Sequence, residues 1–581
     1  MNARQTSLLG AIVVLFLLNC LSICLYFYPL TENRSPLTEP TSHLTERRSN
    51  LAGDRHHPAR PRRLKRWPSL PSYLPWTQQP RPPVNSCEAY FGNGFTRRVD
   101  LLPSSPGGGG GGWFRCFYSE TLRSSVCEGG RLRMVPERIR ASRGGERLEE
   151  VVGREEDEEL PEFEDGAFEV EAGAVDLGLR YRYGRGGKLL KGDLLDMYVP
   201  KGDVDRHRMG ELLGSIRVVE AGDFHCDQWV EEPTLLVIRY EYANMFHTVT
   251  DWYSAYVSSR VTGLPYRPHL VFVDGHCKTQ LEETWDALFS SLRHAKNFSG
   301  SVCFRHAIFS PLGYETPLFK GLSEEIDCHG APAHDLQRNA DDQKTARLHE
   351  FGEMIKSSFG LSTSEHHNMI SASGYNVLFV RREDYLAHPR HRGKVESRLS
   401  NEQEVFESVR IWASNHLDCK INVINGLFAH MPMKEQVEAI RDASVIIGAH
   451  GAGLTHTVSA LPKTVILEII SEKFRRPHFE LIAQWKGLEY HAINLRGSYA
   501  APSVVIKKLG NIMRMREMTL CYPSTPKKLA MTVGFFFAGA GLFGYGLHLW
   551  YVNAAPQRAR IQARSEFVKE KLRRKYGDGR R

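Results

Sequence analysis

The apolar positions of this chain change period along its length, and the changes divide it. From Leu8 to Leu30 the residues are mostly Leu, Ile, Val, Phe and other uncharged types. That run can cross a hydrocarbon core of ~30 Å at ~1.5 Å per residue. Its bulky CLYFYPL ending has no small-residue cleavage site, so it reads as a signal anchor with residues 1–7 on the cytosolic side. Thr31–Ser86 is dense in Pro, Arg, Ser and His and reads as an extended luminal stem. From Pro233 onward, short apolar runs alternate with segments of helical period. Thr234–Ile238, His269–Asp274, Cys303–Phe309, Asn376–Val380 and Ile421–Asn425 predict strands. The second half of Arg239–Tyr256, then Thr279–Leu292, Gln343–Phe359, Glu402–Trp412 and Lys434–Ala443, predict helices. The polar stretch Ser362–Ser373 reads as a linker. The expected fold is α/β, with two Rossmann-like domains around a cleft, an acceptor-side part over 87–361 and a nucleotide-binding part over 374–518.

The sharpest local pattern is Ser444–Ile470, SVIIGAHGAGLTHTVSALPKTVILEII. An apolar run stops at Gly448-Ala449-His450, Gly451 and Gly453 bracket Ala452, and a second apolar run carries one acid, Glu468. Strand, glycine turn, short helix, strand is the order of a βαβ unit. Glycines there let the backbone approach a ligand, and free N–H groups at the helix start suit a pyrophosphate. Glycine that serves the turn alone is the plainer alternative. Arg381 and Arg382 leave a predicted strand about seventy residues earlier and could fork onto the same diphosphate, or pair with Glu383 and Asp384. Glu468 in its apolar strand needs a partner, either a ribose diol or a basic side chain. His247 and Asp251, four apart on a helix, share a face. An imidazole oriented by a carboxylate is a general base for a sugar hydroxyl; Asp251 is the alternative base, and a helix-stabilising pair is the structural reading. Asp203-Val204-Asp205 has the D-x-D form of some metal-nucleotide sites but lies in a polar loop with no preceding strand, so no metal is expected there.

Charge changes the picture by its location. The net charge is +8, yet residues 46–82 and 558–581 carry +7 each, leaving the rest at −6. A mildly acidic body argues against nucleic acid as a partner. Glu146–Asp165 reads as a solvated helix face or loop, and Gly107–Gly112 as a floppy insertion. Cys87, Cys116, Cys127, Cys226, Cys277, Cys303, Cys328 and Cys419 lie beyond the anchor with no CxxC pair. Disulfides in an oxidising lumen are the expectation, buried free thiols the alternative. Asn33 and Asn297 head N-x-S/T sequences; Asn33 is close to the membrane, so Asn297 is the expected glycosylation site.

The stretches CEAYFGNGFTRRVD, WFRCFYSETL, YANMFHTVTDWYSAYV, VFVDGHC, SPLGYET, VRREDYLAHPR, HGAGLTH and RPHFELIAQWKGLEYHA together resemble glycosyltransferase family 61, from about Pro71 to Met515. The resemblance implies a type II Golgi membrane enzyme with a GT-B-like catalytic region in the lumen. It implies inverting transfer of xylose from UDP-xylose to the core β-mannose of complex N-glycoproteins, in β-1,2 linkage, with no cofactor and no metal requirement. Carried onto this sequence, it puts the donor nucleotide at Arg381 or Arg382 and at His450, Gly451, Gly453 and Thr455. His456 and Glu468 are the neighbouring candidates, and His247 or Asp251 is the catalytic base. Transfer to xylan or another acceptor, or a sugar-binding ectodomain without turnover, are the rival readings. The sequence sets no oligomeric state. One departure is the extension 519–581, where 529–552 has the length and composition of a second span. A fused neighbouring reading frame is the preferred reading of that extension; a second anchor with both ends cytosolic is the other.

Overall fold

The structure is a computed structural model that describes residues 64–70, 89–104, 110–172, 187–202, 204–322, 327–328, 331–332, 346–362, 374–382, 389, 398–416, 420–520 and 526–577. The expected anchor, Asn33, Asp203, Glu383, Asp384, Cys87, Cys419 and most of the linker lie outside these residues.

The first half opens with Phe95–Leu102 (β1), Trp113–Ser119 (β2), Ser124–Gly130 (β3), Leu132–Met134 (β4), Phe168–Glu171 (β5), Ile216–Val219 (β6), Gln228–Val230 (β7) and Thr234–Val237 (β8). Helix Met245–Val261 (α1) follows, then His269–Phe272 (β9), Glu282–Leu288 (α2), Leu292–His294 (β10), Val302–Phe304 (β11), Ala307–Phe309 (β12) and Ala346–Ser358 (α3). One sheet has the order β1-β2-β3-β12-β8-β9-β10, with β12, β8, β9 and β10 parallel. A second has the order β6-β5-β4-β11-β7.

The second half contains Tyr375–Val380 (β13), Glu402–Ser414 (α4), Ile421–Gly426 (β14), Met433–Asp442 (α5), Val445–Ala449 (β15), Val465–Ile470 (β16), His478–Trp485 (α6), Glu489–Asn494 (β17) and Pro502–Leu520 (α7). Its sheet is all parallel in the order β14-β13-β15-β16-β17. Continuous apolar runs such as Val445–Ile447 suit strands covered on both faces. Alternation decides what covers each face. Val377, Phe379, Val445, Ile447, Val465 and Leu467 enter a core with α4 and α7. Leu378, Val380, Ile446 and Ile466 enter a core shared with Leu235, Val237, Leu270 and Phe272 of the first half. Helix α1 lies in that shared layer, buried through most of its length, which is why its sequence lacks a polar stripe.

Several expectations need correction. Cys303–Phe309 is two strands in different sheets, because Arg305-His306 separates β11, which pairs with β7, from β12, which pairs with β8. The helix predicted over Thr279–Leu292 is shorter, since Phe289 turns extended at φ −117° and Leu292 starts β10. The stem reading fails over the described residues 64–70. Trp67 donates its indole N–H to Leu264 O at 2.9 Å and packs edge-on to Tyr256, and Leu70 is buried. A large aromatic overrides the composition around it. The acidic patch is not wholly solvated: Glu159 is fully buried and faces His276 Nδ1 at 3.2 Å. Gly112 is tied to Glu171 O by its N–H at 3.0 Å rather than floppy. Among the described residues two disulfides form, Cys116–Cys127 and Cys226–Cys303, while Cys277 is a buried free thiol, so both cysteine readings hold in part. Asn297 is exposed at the surface, its side-chain oxygen accepting from Arg143. Helix Pro526–Tyr576 (α8) contains the one described segment long and apolar enough to cross a membrane, Ala530–Lys575, with Phe535, Phe536 and Phe537 exposed.

Candidate functional site

Strand order reverses beside β13 in the second half, with β14 on one side and β15 on the other. Loops leaving two such strands at their C-terminal ends diverge and open a crevice, the usual ligand position in an open α/β sheet. Arg381 and Arg382 leave β13 there, and His450-Gly451 leave β15. Backbone alternation then separates the two arginines. Arg381 turns to α4, its Nε 3.4 Å from Glu402 Oε1 and its guanidinium over the Phe406 ring. Arg382 donates its backbone N–H to the same Glu402 at 3.0 Å, while its guanidinium lies over Gly451, where a Cβ would collide with it. Gly451 is extended, at φ 176°, so its lack of a Cβ rather than its freedom of φ is what the arginine requires. Of the two candidates, Arg382 is the one laid across the glycine turn.

The helix after the turn is a 3-10 helix, Ala452–Ser459. Only its beginning is reachable: Ala452 and Gly453 are half-buried, and Leu454–Ser459 are buried. Thr455 is fully buried, so its expected contact with a donor is not made by a surface group. His456 also points inward, its Nε2 2.8 Å from Gln436 Oε1, and burial holds its pKa down to about 3. Both departures have one cause. A helix buried in the shared core has no solvent face for any helical period to reveal.

Glu468 is fully buried and both its oxygens are engaged. His450 Nδ1 lies 2.5 Å from Oε1, and Tyr490 donates its hydroxyl to Oε2 at 2.6 Å. Parallel pairing of β15 with β16 sets Glu468 beside Gly448, bringing the carboxylate under the histidine that ends the turn. A ribose diol therefore has no free oxygen to take. The carboxylate instead fixes the orientation of the His450 ring. Tyr490 gave no sequence signal, being placed by β16–β17 pairing alone.

The first half presents the start of α1 at the end of β8. Asn244 caps the helix, its side-chain oxygen accepting from Phe246 N at 3.0 Å. Beneath the loop, buried Arg239 pairs with Asp274 at 2.8 Å and Glu282 at 3.1 Å, and its guanidinium stacks 3.5 Å from the Phe272 ring centroid. The positive charge holds the Asp274 carboxyl down to about 2 against the opposing effect of burial. His276 stacks on Tyr242 and meets Arg239 O with its Nε2, so the loop into α1 is firmly seated. His247 and Asp251 do not form the expected pair. Asp251 is buried and accepts the Gly313 N–H at 3.1 Å, and burial raises its pKa. His247 Nδ1 is buried with no hydrogen-bond partner, and desolvation lowers the ring's pKa to about 4. The imidazole is neutral at neutral pH and half-buried among Phe246, Tyr314 and Phe319.

The two halves meet at a third imidazole that the sequence did not single out. His478 at the start of α6 has its ring 6.0 Å from His450 and 4.9 Å from Phe246. Asp205 is exposed in a bend away from any strand. Among the described residues no group of three or more His, Cys, Asp or Glu is arranged to hold a metal ion.

Known proteins share this chain's sequence over its length. The glycosyltransferase 61 family profile matches residues 197–467, a span that takes in His247, Arg382 and His450. A β-1,2-xylosyltransferase from Arabidopsis thaliana is 64% identical over 474 residues, covering 78% of this chain and 89% of the relative. Another, from Oryza sativa subsp. japonica, is 63% identical over 465 residues, covering 80% and 85%. An EGF domain-specific O-linked N-acetylglucosamine transferase from Gallus gallus is 24% identical over 287 residues, about 46% of this chain and 45% of that protein. With identity this high over nearly the whole of two relatives, and the profile falling on the strands that build the crevice, the chain belongs to glycosyltransferase family 61.

Proposed function

We propose that this protein is an inverting β-1,2-xylosyltransferase that moves xylose from UDP-xylose to the core β-mannose of complex N-glycans. The carrying observation is the 64% identity to a β-1,2-xylosyltransferase over 89% of that relative. The crevice geometry supports the division of labour. The diphosphate would lie across Gly451–Gly453 under Arg382, where N–H groups and a guanidinium can take up the charge of the leaving UDP. His450, backed by Glu468, would donate to the same phosphates. The acceptor hydroxyl would approach from the first half, with His247 as the base: its neutral imidazole is free to accept a proton, whereas Asp251 is committed to Gly313. The two α/β halves would then act as the two sides of a GT-B-like cleft. The disulfides and exposed Asn297 support a luminal, secretory setting, and the Golgi membrane is the proposed location. The exposed apolar stretch of α8 is long enough to cross a membrane, which leaves a second span beside the preferred fused-frame reading of this extension.

The test is to incubate the full chain with UDP-xylose and a GlcNAc-terminated N-glycopeptide and read the product mass. Gain of one pentose on the core mannose supports the proposal. UDP binding without pentose gain points to another donor–acceptor pair or to a sugar-binding protein without turnover.

A further inference from the structure

His247, His478, Phe246, Tyr314 and Phe319 come from three separate segments and from both halves of the protein. Their rings form one continuous cluster. His247 lies 5.2 Å from Tyr314 and 5.9 Å from Phe319, Tyr314 lies 4.5 Å from Phe319, and Phe246 lies 5.4 Å from His247 and 4.9 Å from His478. His247, Tyr314, Phe319 and His478 are half-buried, while Phe246 is buried beneath them. Within this apolar surround two polar atoms are unsatisfied: the Nδ1 of His247 and the Nδ1 of His478 are both buried without a hydrogen-bond partner. A buried polar atom left unpaired is destabilising. Two half-buried imidazoles in one aromatic cluster, beside the crevice that holds the diphosphate candidates, suit a ligand with hydroxyl groups. Aromatic walls with a few convergent polar groups are the usual lining of a small-molecule site.

We infer that this cluster is the subsite for the pentose ring of the sugar nucleotide, with His478 as a sugar-hydroxyl ligand and Phe319 as the wall against an exocyclic carbon. The inference rests on the proposed function, and it adds the residues that select the donor sugar. Position favours the donor sugar over the acceptor. His478 belongs to the half that carries Arg382 and the glycine turn, and its ring neighbours His450, so a sugar beyond the diphosphate reaches it first. The protonation state fits as well. Desolvation by burial, with Arg476 nearby, lowers the His478 pKa to about 4. A neutral imidazole offers one donor and one acceptor, as a hydroxyl does.

The experiment compares UDP-xylose with UDP, which share everything except the sugar, using the full-length protein. In His478→Ala the KM for UDP-xylose should rise about tenfold, the worth of one hydrogen bond to a buried polar group. The inhibition constant of UDP and the KM of the glycopeptide should stay within about twofold. In Phe319→Ala, use of UDP-glucose relative to UDP-xylose should rise at least about tenfold, as removal of a pocket wall allows. Equal loss of UDP and UDP-xylose binding in His478→Ala would put that residue on the nucleotide or in the fold and overturn the assignment. A rise in the glycopeptide KM alone would make the cluster an acceptor subsite and overturn it too. Unchanged donor preference in Phe319→Ala would remove the wall. Wild-type protein that transfers no pentose would instead contradict the proposed function, and is read in the same assay.

Discussion

Both halves of the protein carry an imidazole to the end of a parallel strand, but they treat it in opposite ways. In the second half His450 is bound to a fully buried carboxylate eighteen residues away, and Tyr490 holds that carboxylate from the other side. In the first half His247 has a carboxylate four residues away on the same helix and does not use it, because Asp251 is taken by the Gly313 N–H. One ring is held in orientation by a carboxylate; the other is neutral and desolvated. A histidine on a leaving diphosphate benefits from positive charge, whereas a base for a hydroxyl must begin unprotonated. The difference in environment suits the two roles proposed for these rings.

Breaking the supported side should cost most. Glu468→Ala removes the partner of His450 and strands the Tyr490 hydroxyl, and kcat/KM should fall by about 10²-fold or more, with a lowered melting temperature. Glu468→Gln keeps the acceptor for Tyr490 and should retain the fold while losing most of the activity. Equal activity in Glu468→Gln and wild type would show that the carboxylate charge does nothing for His450. Arg382→Ala should cost about 10–100-fold in kcat/KM through the lost charge-assisted contact. Arg381→Ala should cost less in catalysis and more in stability, because its guanidinium serves Glu402. Reversed effects would exchange the two roles.

On the open side, Asp251→Ala should destabilise the fold by about 1–3 kcal/mol by orphaning the buried Gly313 N–H, read from a urea midpoint. The pH dependence of kcat should stay flat through pH 6–8 in this variant if Asp251 is not the base. Gly451→Ala is the mildest change, since the clashing atom is the mobile end of Arg382; a loss of activity smaller than that of Arg382→Ala is expected. Acid should also unfold the protein through its histidines. His247, His294 and His478 are held near 4 and His456 near 3 by burial. The unfolded chain binds protons at about 6.5 that the fold refuses, so stability present above that value is lost as pH falls toward 4. A urea midpoint unchanged between pH 7 and 5 would contradict this.

The sequence made the second half legible because its strands are buried on both faces and its turn is marked by glycine. The apolar runs at Val445 and Val465 and the glycines after His450 correspond to β15, β16 and the turn between them, although β15 continues through Gly448 to Ala449. What remained hidden depended on pairing between distant segments. The Glu468–His450 bond follows from strand register, and His478 reaches the crevice only because α6 packs beside the turn. His247 and Asp251 misled for the complementary reason: helical spacing brings two groups to one face, but it does not say which tertiary partner takes the carboxylate. Glu159 and Trp67 show the same limit, one buried and the other half-buried by long-range contacts inside a stretch whose composition reads as solvated.

The most direct test of the account is the affinity of the full-length protein for UDP, measured by calorimetry for wild type, Arg382→Ala and Arg381→Ala. The crevice at β13 and β15 predicts micromolar-scale binding that weakens about tenfold or more in Arg382→Ala and stays within about twofold in Arg381→Ala. UDP binding unaffected by Arg382→Ala would mean that the diphosphate lies elsewhere, and the assignment of the second half as the donor side would fall.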